Sequence, residues 1–315
     1  MPQLTSDLDL ACARLRAGHL LALPTETVYG LAADARNAEA VARVFALKGR
    51  PSSNPLIVHL ANADQAEDWA TAIGPAARRL MARFWPGPLT LVLPARDQVP
   101  RSITAGQDSV ALRVPAHPVA RQLLERFAGA LVAPSANRYM SISPTSSAHV
   151  VQQFADSDLL ILEGGECRVG LESTIVSLLP GEPPRLLREG MLAAGAIEQV
   201  LGEPLLRGGE GAVRAPGQHH RHYAPGTPSW RFREAPPAAL ADPRCGWIWC
   251  GGARASAGPA IDLGEDPVDF AQGLYAALYR LDNLGLERMM IRTPPDDAAW
   301  AAIHDRLSRA SAMLD

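Results

Sequence analysis

The chain is 315 residues long, with 30 Lys plus Arg against 33 Asp plus Glu, a formal net charge of −3 and 47% apolar residues. That length exceeds the usual single domain, so two domains with sizeable apolar cores are expected. The slightly acidic balance excludes a chain that coats nucleic acid through bulk charge, and any anion site must be a local gathering of basic side chains.

No stretch of about 18 apolar residues is present to span a membrane. Asp7 and Asp9 stand where a signal peptide would carry positive charge. Cys12, Cys167, Cys245 and Cys250 form no C-x-x-C pair, which reads as buried reduced thiols. A cytoplasmic protein with no membrane partner is the expectation.

From residue 20 to about 201 short apolar runs alternate with helical spacing. Strands are expected at 20–23, 56–60, 89–93, 110–114, 131–133, 159–162, 174–178 and 185–187, and helices around 41–45, 76–84, 119–127 and 146–154. The alternation predicts an α/β fold, and the consecutive strands near 174–187 predict a mixed sheet. Residues 1–204 make up this first domain. In 205–228, Gly208, Gly209, Gly211, Pro216, Gly217, Pro225, Gly226 and Pro228 crowd together and apolar periodicity vanishes, which reads as a linker. Strand-like runs at 229–232, 246–250 and 289–292, with helical patterns at 268–284 and 298–313, predict a smaller α/β domain over 229–315.

The common short motifs are missing. There is no G-x-x-x-x-G-K-[ST], no G-x-G-x-x-G after a strand, no G-x-S-x-G and no H-E-x-x-H. The informative stretch is 23–60. LPTETVYGL sends Thr25, Glu26, Thr27 and Tyr29 out of a strand end together, an arrangement that suits either a binding edge or an ordinary capped turn. Then a helix delivers Lys48, breaks at Gly49, offers Arg50 and is held extended by Pro51. Lys and Arg so placed can converge on one polyanion, or merely complement the helix dipole. Asn54 and a strand carrying His59 follow.

Farther on, Arg113 sits in the otherwise apolar run SVALRVP, which begins at Ser109. A buried guanidinium cannot shed its charge and needs an anionic partner, from the protein or from a substrate. A strand then ends in Ala133, Pro134, Ser135, Ala136 and Asn137. Ser143, Pro144 and Thr145 open a helix that could seat an anion. Ser173 and Thr174 start another strand, and Arg188 ends one.

LPTETVYGLAADA, KGRPSSNPLIVHL, WPGPLTLVL, VALRVP, APSAN, SPT, GLESTIV and LLREG stand in the order found in the YrdC-like family, and the chain resembles its two-domain form over essentially its full length. The resemblance implies a twisted, partly closed α/β sheet around a large cationic cavity, followed by a smaller Rossmann-like domain. It implies formation of L-threonylcarbamoyl-AMP and pyrophosphate from L-threonine, bicarbonate and ATP, with Mg2+, for threonylcarbamoyl modification of tRNA beside the anticodon. The family's catalytic tetrad falls on Lys48, Arg50, Ser135 and Asn137. Lys48, Arg50, Asn54, Ser109, Ser135, Ser143 and Arg188 would hold ATP, with His222 and Tyr223 closing over it from the linker. Thr27, His59, Arg113, the backbone at Ala133, and Ser173 would hold threonine, with Arg113 on its carboxylate. Downstream tRNA threonylcarbamoyl-transfer machinery is the implied partner.

Where the family has Ser-Gly-x after the Ser135–Asn137 triplet, this chain has Tyr139, Met140 and Ser141. If the glycine serves a positive φ, Met140 is strained there. The cluster His219, His220, Arg221 and His222 reads as lid before metal site. Two rivals are weighed. Hydrogenase maturation factors carry YrdC-like domains, but their zinc fingers need cysteine pairs that this chain lacks. An RNA-binding module with weak RNA contact would show aromatic stacking positions that are not visible.

Overall fold

The protein is described from a computed structural model covering residues 1–207, 213–216 and 222–314. Eleven strands build the first sheet: β1 (Gln3–Thr5), β2 (Leu21–Leu23), β3 (Gly30–Asp34), β4 (Ile57–His59), β5 (Leu89–Pro94), β6 (Ser109–Arg113), β7 (Leu131–Val132), β8 (Leu160–Leu162), β9 (Thr174–Ser177), β10 (Arg185–Arg188) and β11 (Leu206–Arg207). Their order is β1-β8-β2-β3-β7-β4-β6-β5-β9-β10-β11. Parallel pairs such as β4 with β6 alternate with antiparallel ones such as β5 with β6, so the sheet is mixed. Its helices are α1 (Leu8–Arg16), α2 (Ala38–Lys48), α3 (Pro75–Phe84), α4 (Arg101–Thr104), α5 (Pro118–Phe127), α6 (Ser147–Gln153) and α7 (Ala194–Leu201).

The two-residue period of a strand sorts the central sheet into two faces. Val58, Leu91, Leu93, Val110, Leu112, Val176 and Leu186 pack with α2, α3 and α7 side chains in the largest core cluster. Ile57, Val92, Ala111, Ile175 and Leu187 form a separate cluster with Val213 and Ala215 from the inter-domain segment. The second face therefore carries Thr90, Ser109 and Arg113, and with them His59 and Ser173 one period from Ile57 and Ile175. The functional side of the sheet is set by parity.

The second domain contains β12 (Ser229–Phe232), β13 (Cys245–Trp249), β14 (Ala260–Asp262), β15 (Arg288–Arg292) and β16 (Ala312–Met313), with α8 (Pro237–Leu240), α9 (Pro267–Asp282) and α10 (Ala301–Ala310). The strand order is β14-β13-β15-β12-β16, and every pairing is parallel. The helix expected over 298–313 stops at Ala310, and the chain turns into β16. The linker expected from 205 begins later, because Leu206 and Arg207 pair with β10 as an edge strand. All four cysteines are buried and free. Among the described residues no helix is long and apolar enough to cross a membrane.

α9 joins the domains. Asp266 caps it by accepting from Val268 N and Asp269 N, and Pro267 opens it with a preset φ. One core cluster contains Phe270, Leu274 and Leu278 of α9, Ile248 and Ile291 of its own sheet, and Val28, Ile142 and Leu171 of the first domain. The approach is close enough to demand Gly170 (φ 78), where a Cβ would lie 2.5 Å from Ala271 O. The two domains thus share an apolar core.

Candidate active site

Asn37 caps α2 by accepting from Ala40 N, and Gly49 ends it in the left-handed region with φ 64. This stop leaves Lys48 in the last turn, 3% exposed. Its ammonium does not serve its own helix end. It crosses to the Ser135–Asn137 loop, where Nζ donates to the carbonyl oxygens of Ser135 and Asn137, the latter at 2.6 Å. The loop returns a bond from Tyr139 N to Lys48 O at 2.8 Å. Burial, then the neighbouring Arg50, hold the Lys48 amine well below the usual lysine range, with Glu172 opposing them. Lys48 is also the only lysine in the chain.

Arg50 is buried and donates from Nη2 to Pro55 O at 3.1 Å, while its Nε has no partner among the described residues. Burial pulls its guanidinium down to about 10, which leaves it charged at neutral pH. Asn137 pins its loop by donating from Nδ2 to the carbonyls of Arg138 and Ser141 at 2.7 and 2.8 Å. Its Oδ1 is buried without a partner among the described residues. Asn54 donates to Tyr139 Oη at 3.3 Å.

Across the sheet, β4 and β6 run parallel with His59 beside Arg113. Arg113 donates to Glu26 Oε1 at 2.6 Å, Thr27 Oγ1 at 2.9 Å and Gly87 O at 3.2 Å. Of the two anionic partners open to this buried arginine, the structure supplies the protein carboxylate, Glu26. Three of the five N–H donors of a guanidinium are used, leaving two. His59 Nδ1 lies 3.3 Å from Ile57 O. Burial and then Arg113 hold its imidazole down at about 3, so it is neutral. Ser173 Oγ meets Thr90 Oγ1 at 2.7 Å and accepts from Arg188 Nη2 at 3.0 Å.

One cavity gathers these residues. Thr27, His59, Arg113, Ala133 and Ser173 line it together with Arg50, Ser135, Arg188, His222 and Tyr223. Lys48, Asn54, Ser109, Asn137 and Ser143 are outside its wall. Ser109 lies at the start of β6, and Lys48 reaches the wall through its bond to the carbonyl of Ser135. Ser143 is fully buried and donates to Glu172 Oε1 at 2.6 Å, not to the cavity.

Pro216, His222 and Tyr223 of the inter-domain segment also line this space. Arg188 Nη1 donates to Pro216 O at 3.2 Å, and His222 and Tyr223 are buried at 6% and 1% exposure. Burial holds the His222 imidazole down at about 3, with Glu172 opposing that shift. Met140 adopts φ 69, the left-handed conformation anticipated for a glycine position. Its carbonyl accepts from Ala224 N at 3.1 Å, so the strained turn holds the backbone directly after His222 and Tyr223. His219, His220 and Arg221, the remainder of the histidine cluster, lie outside the described residues.

Glu172 was missed at the level of sequence. It lines the cavity, 6% exposed, with its carboxylate accepting from Ser143, from Tyr275 Oη at 3.1 Å and from Arg306 Nε at 2.7 Å. Burial pushes its carboxyl up, but Arg306, Arg188 and Ser143 outweigh that and hold it at about 2. A lone Glu before a strand gives no signal when its partner stands 134 residues away.

The mixed eleven-stranded sheet, the arginine-lined cavity on one face and the appended parallel sheet define a two-domain α/β protein of the YrdC-like fold. Residues 13–190 match the Sua5/YciO/YrdC family model, described as "Telomere recombination", and residues 192–312 match the model of "Threonylcarbamoyl-AMP synthase, C-terminal domain". The chain belongs to the Sua5/YciO/YrdC family, in its two-domain form. It is 40% identical to the threonylcarbamoyl-AMP synthase of Pyrococcus abyssi over 96% of this chain and 94% of that protein. It is 35% identical to that of Bacillus subtilis over 96% and 92%. The crystal structure of P. abyssi Sua5 complexed with L-threonine superposes with a TM-score of 0.90 at 37% identity, covering 100% of both chains.

Proposed function

We propose that the chain is a threonylcarbamoyl-AMP synthase, a transferase of the nucleotidyl class acting on L-threonine, bicarbonate or CO2, and ATP. The observation that carries this reading is the division of one cavity into two chemically distinct ends. Arg113, Thr27 and the neutral His59 suit a small zwitterion: the two unused guanidinium N–H groups take a carboxylate, and the unprotonated Nε2 accepts a hydrogen bond. Arg50 and Arg188, backed by Lys48, suit the phosphates of a nucleotide. The threonine complex of the P. abyssi relative supports the first assignment.

No protein nucleophile is needed. The threonine amine adds to CO2 and loses a proton, giving a carbamate. A carbamate oxygen attacks the α-phosphorus of ATP, the α–β bridging P–O bond breaks, and pyrophosphate leaves with the electron pair. Negative charge grows on phosphoryl oxygens, so Lys48, Arg50 and Arg188 work by positioning and electrostatic stabilisation. The His222–Tyr223 lid keeps water from the carbamate and the mixed anhydride. Magnesium enters with ATP as part of the substrate. Among the described residues no three His, Cys, Asp or Glu stand together to hold a metal, and the Glu172 carboxylate is already committed, so phosphates and water would supply most ligands. The product would pass in the cytoplasm to the tRNA threonylcarbamoyl-transfer machinery.

The test is pyrophosphate release from ATP with and without L-threonine and bicarbonate. Release should require both. Release independent of threonine would reject the reading.

A further inference from the structure

The buried carboxylate of Glu172 stands among cations that the reaction needs. A bare anion in that wall would compete with ATP for Arg188, whose guanidinium the carboxylate already influences. It does not, because a second-domain side chain holds it. Arg306 on α10 is 0% exposed. Its Nε donates to Glu172 Oε2 at 2.7 Å, and its Nη2 to Glu189 O at 3.0 Å. Its guanidinium lies 5.1 Å from the ring centre of Tyr223 in the lid segment. Tyr275 of α9 adds a further donor to the same carboxylate. Among the described residues Arg188 is left bonded to Ser173 and to the Pro216 carbonyl.

We propose that Arg306 is a positioning residue for the nucleotide: it neutralises and immobilises Glu172, so that Arg188 stays directed at the ATP phosphates and Tyr223 stays over them. The second domain is then part of the active site through one buried ion pair. This rests on the assignment of ATP to the Arg50–Arg188 end.

The experiment compares Arg306→Met, Glu172→Gln and the double variant in the full-length protein, reading the ATP KM, kcat for pyrophosphate release and threonine affinity without ATP. Arg306→Met should raise the ATP KM about tenfold or more by leaving Glu172 unpaired beside Arg188, with threonine affinity unchanged within about threefold. Adding Glu172→Gln should return most of the ATP affinity, a rescue that mere loss of domain docking would not give. A double variant as weak for ATP as Arg306→Met would overturn the proposal, as would an unchanged ATP KM in Arg306→Met. Should Arg306→Met not fold, Glu172→Gln alone decides. Its ATP affinity should be equal to or above that of the unsubstituted protein, and a tenfold fall would mean that the carboxylate itself serves the nucleotide. Failure of the underlying assignment would look different, since the unsubstituted protein would then show no threonine-dependent pyrophosphate release.

Discussion

The two ends of the cavity handle their arginines in opposite ways. Arg113 is paired within its own domain, its guanidinium meeting the Glu26 carboxylate at 2.6 Å with both side chains at or below 10% exposure. Among the described residues Arg50, Arg188 and Lys48 have carbonyl and hydroxyl partners. The Glu172 carboxylate beside them is taken by Arg306. A zwitterion brings its own positive charge and needs a compensated cradle, whereas a triphosphate needs cations whose charge has not been spent. The difference in pairing reads as a difference in ligand.

The largest effect should come from Lys48. Replacement by Ala should lower kcat for pyrophosphate release about 10²- to 10³-fold while the fold survives, as circular dichroism and thermal melting would check. Lys48→Arg should be nearly as damaging. A planar fork cannot repeat two short bonds from a single nitrogen to the Ser135 and Asn137 carbonyls. Near-normal activity in either variant would remove Lys48 from the chemistry and blur the contrast between the two ends.

At the other end the effect should fall on stability first. Arg113→Leu leaves Glu26 buried and unpaired, which should cost about 3 kcal/mol, readable in denaturant melts. Adding Glu26→Gln should recover most of that stability but not threonine binding. Recovery of both would mean that Arg113 only neutralises Glu26 and does not touch substrate.

Much of this was legible in the chain and some was not. The face carrying Ser109, Arg113, His59 and Ser173 follows from period-two alternation, and the position glycine usually holds, filled here by Met140, foretold the left-handed turn. Lys48 carries a further mark, since every other one of the 30 Lys plus Arg residues is Arg. β1 and β3 escaped because one is three mostly exposed residues and the other a short Gly-Ala run, neither of which alternates strongly. The pairing of Arg113 with Glu26 could have been guessed from two buried opposite charges, but not against a substrate alternative. The Glu172–Arg306 pair was invisible because only the tertiary fold brings α10 to the start of β9.

Acid should sharpen the comparison next. His59 and His222 have folded-state values of about 3 against 6.5 when free. As pH falls below 6.5 the unfolded chain takes up protons that the folded one refuses, so stability is lost between pH 6.5 and 3. At pH 5 each neutral histidine should account for about 2 kcal/mol. His59→Gln and His222→Gln should each remove about one proton from the pH dependence of the unfolding free energy. Saturating ATP should shrink the His222 share alone, because nearby phosphates favour its protonated form. Equal shrinkage of both shares would place the nucleotide across the whole cavity.

The smallest expected effect lies at Met140. Holding a non-glycine residue at φ 69 costs about 1–2 kcal/mol, and a glycine would relieve this at the expense of about 0.4–1 kcal/mol in unfolded-chain entropy. Met140→Gly should therefore stabilise by roughly 0.5 kcal/mol, about 1–2 °C in Tm for a chain of this size. The bond from Ala224 N to Met140 O involves only backbone, so the lid should stay pinned and the ATP KM should not change. If Tm instead falls by several degrees, the Met140 side chain contributes packing that outweighs the strain. If the ATP KM rises with Tm intact, the stiffness of the strained turn is what keeps Tyr223 over the nucleotide end. That second outcome would give the two ends a mechanical difference as well as an electrostatic one.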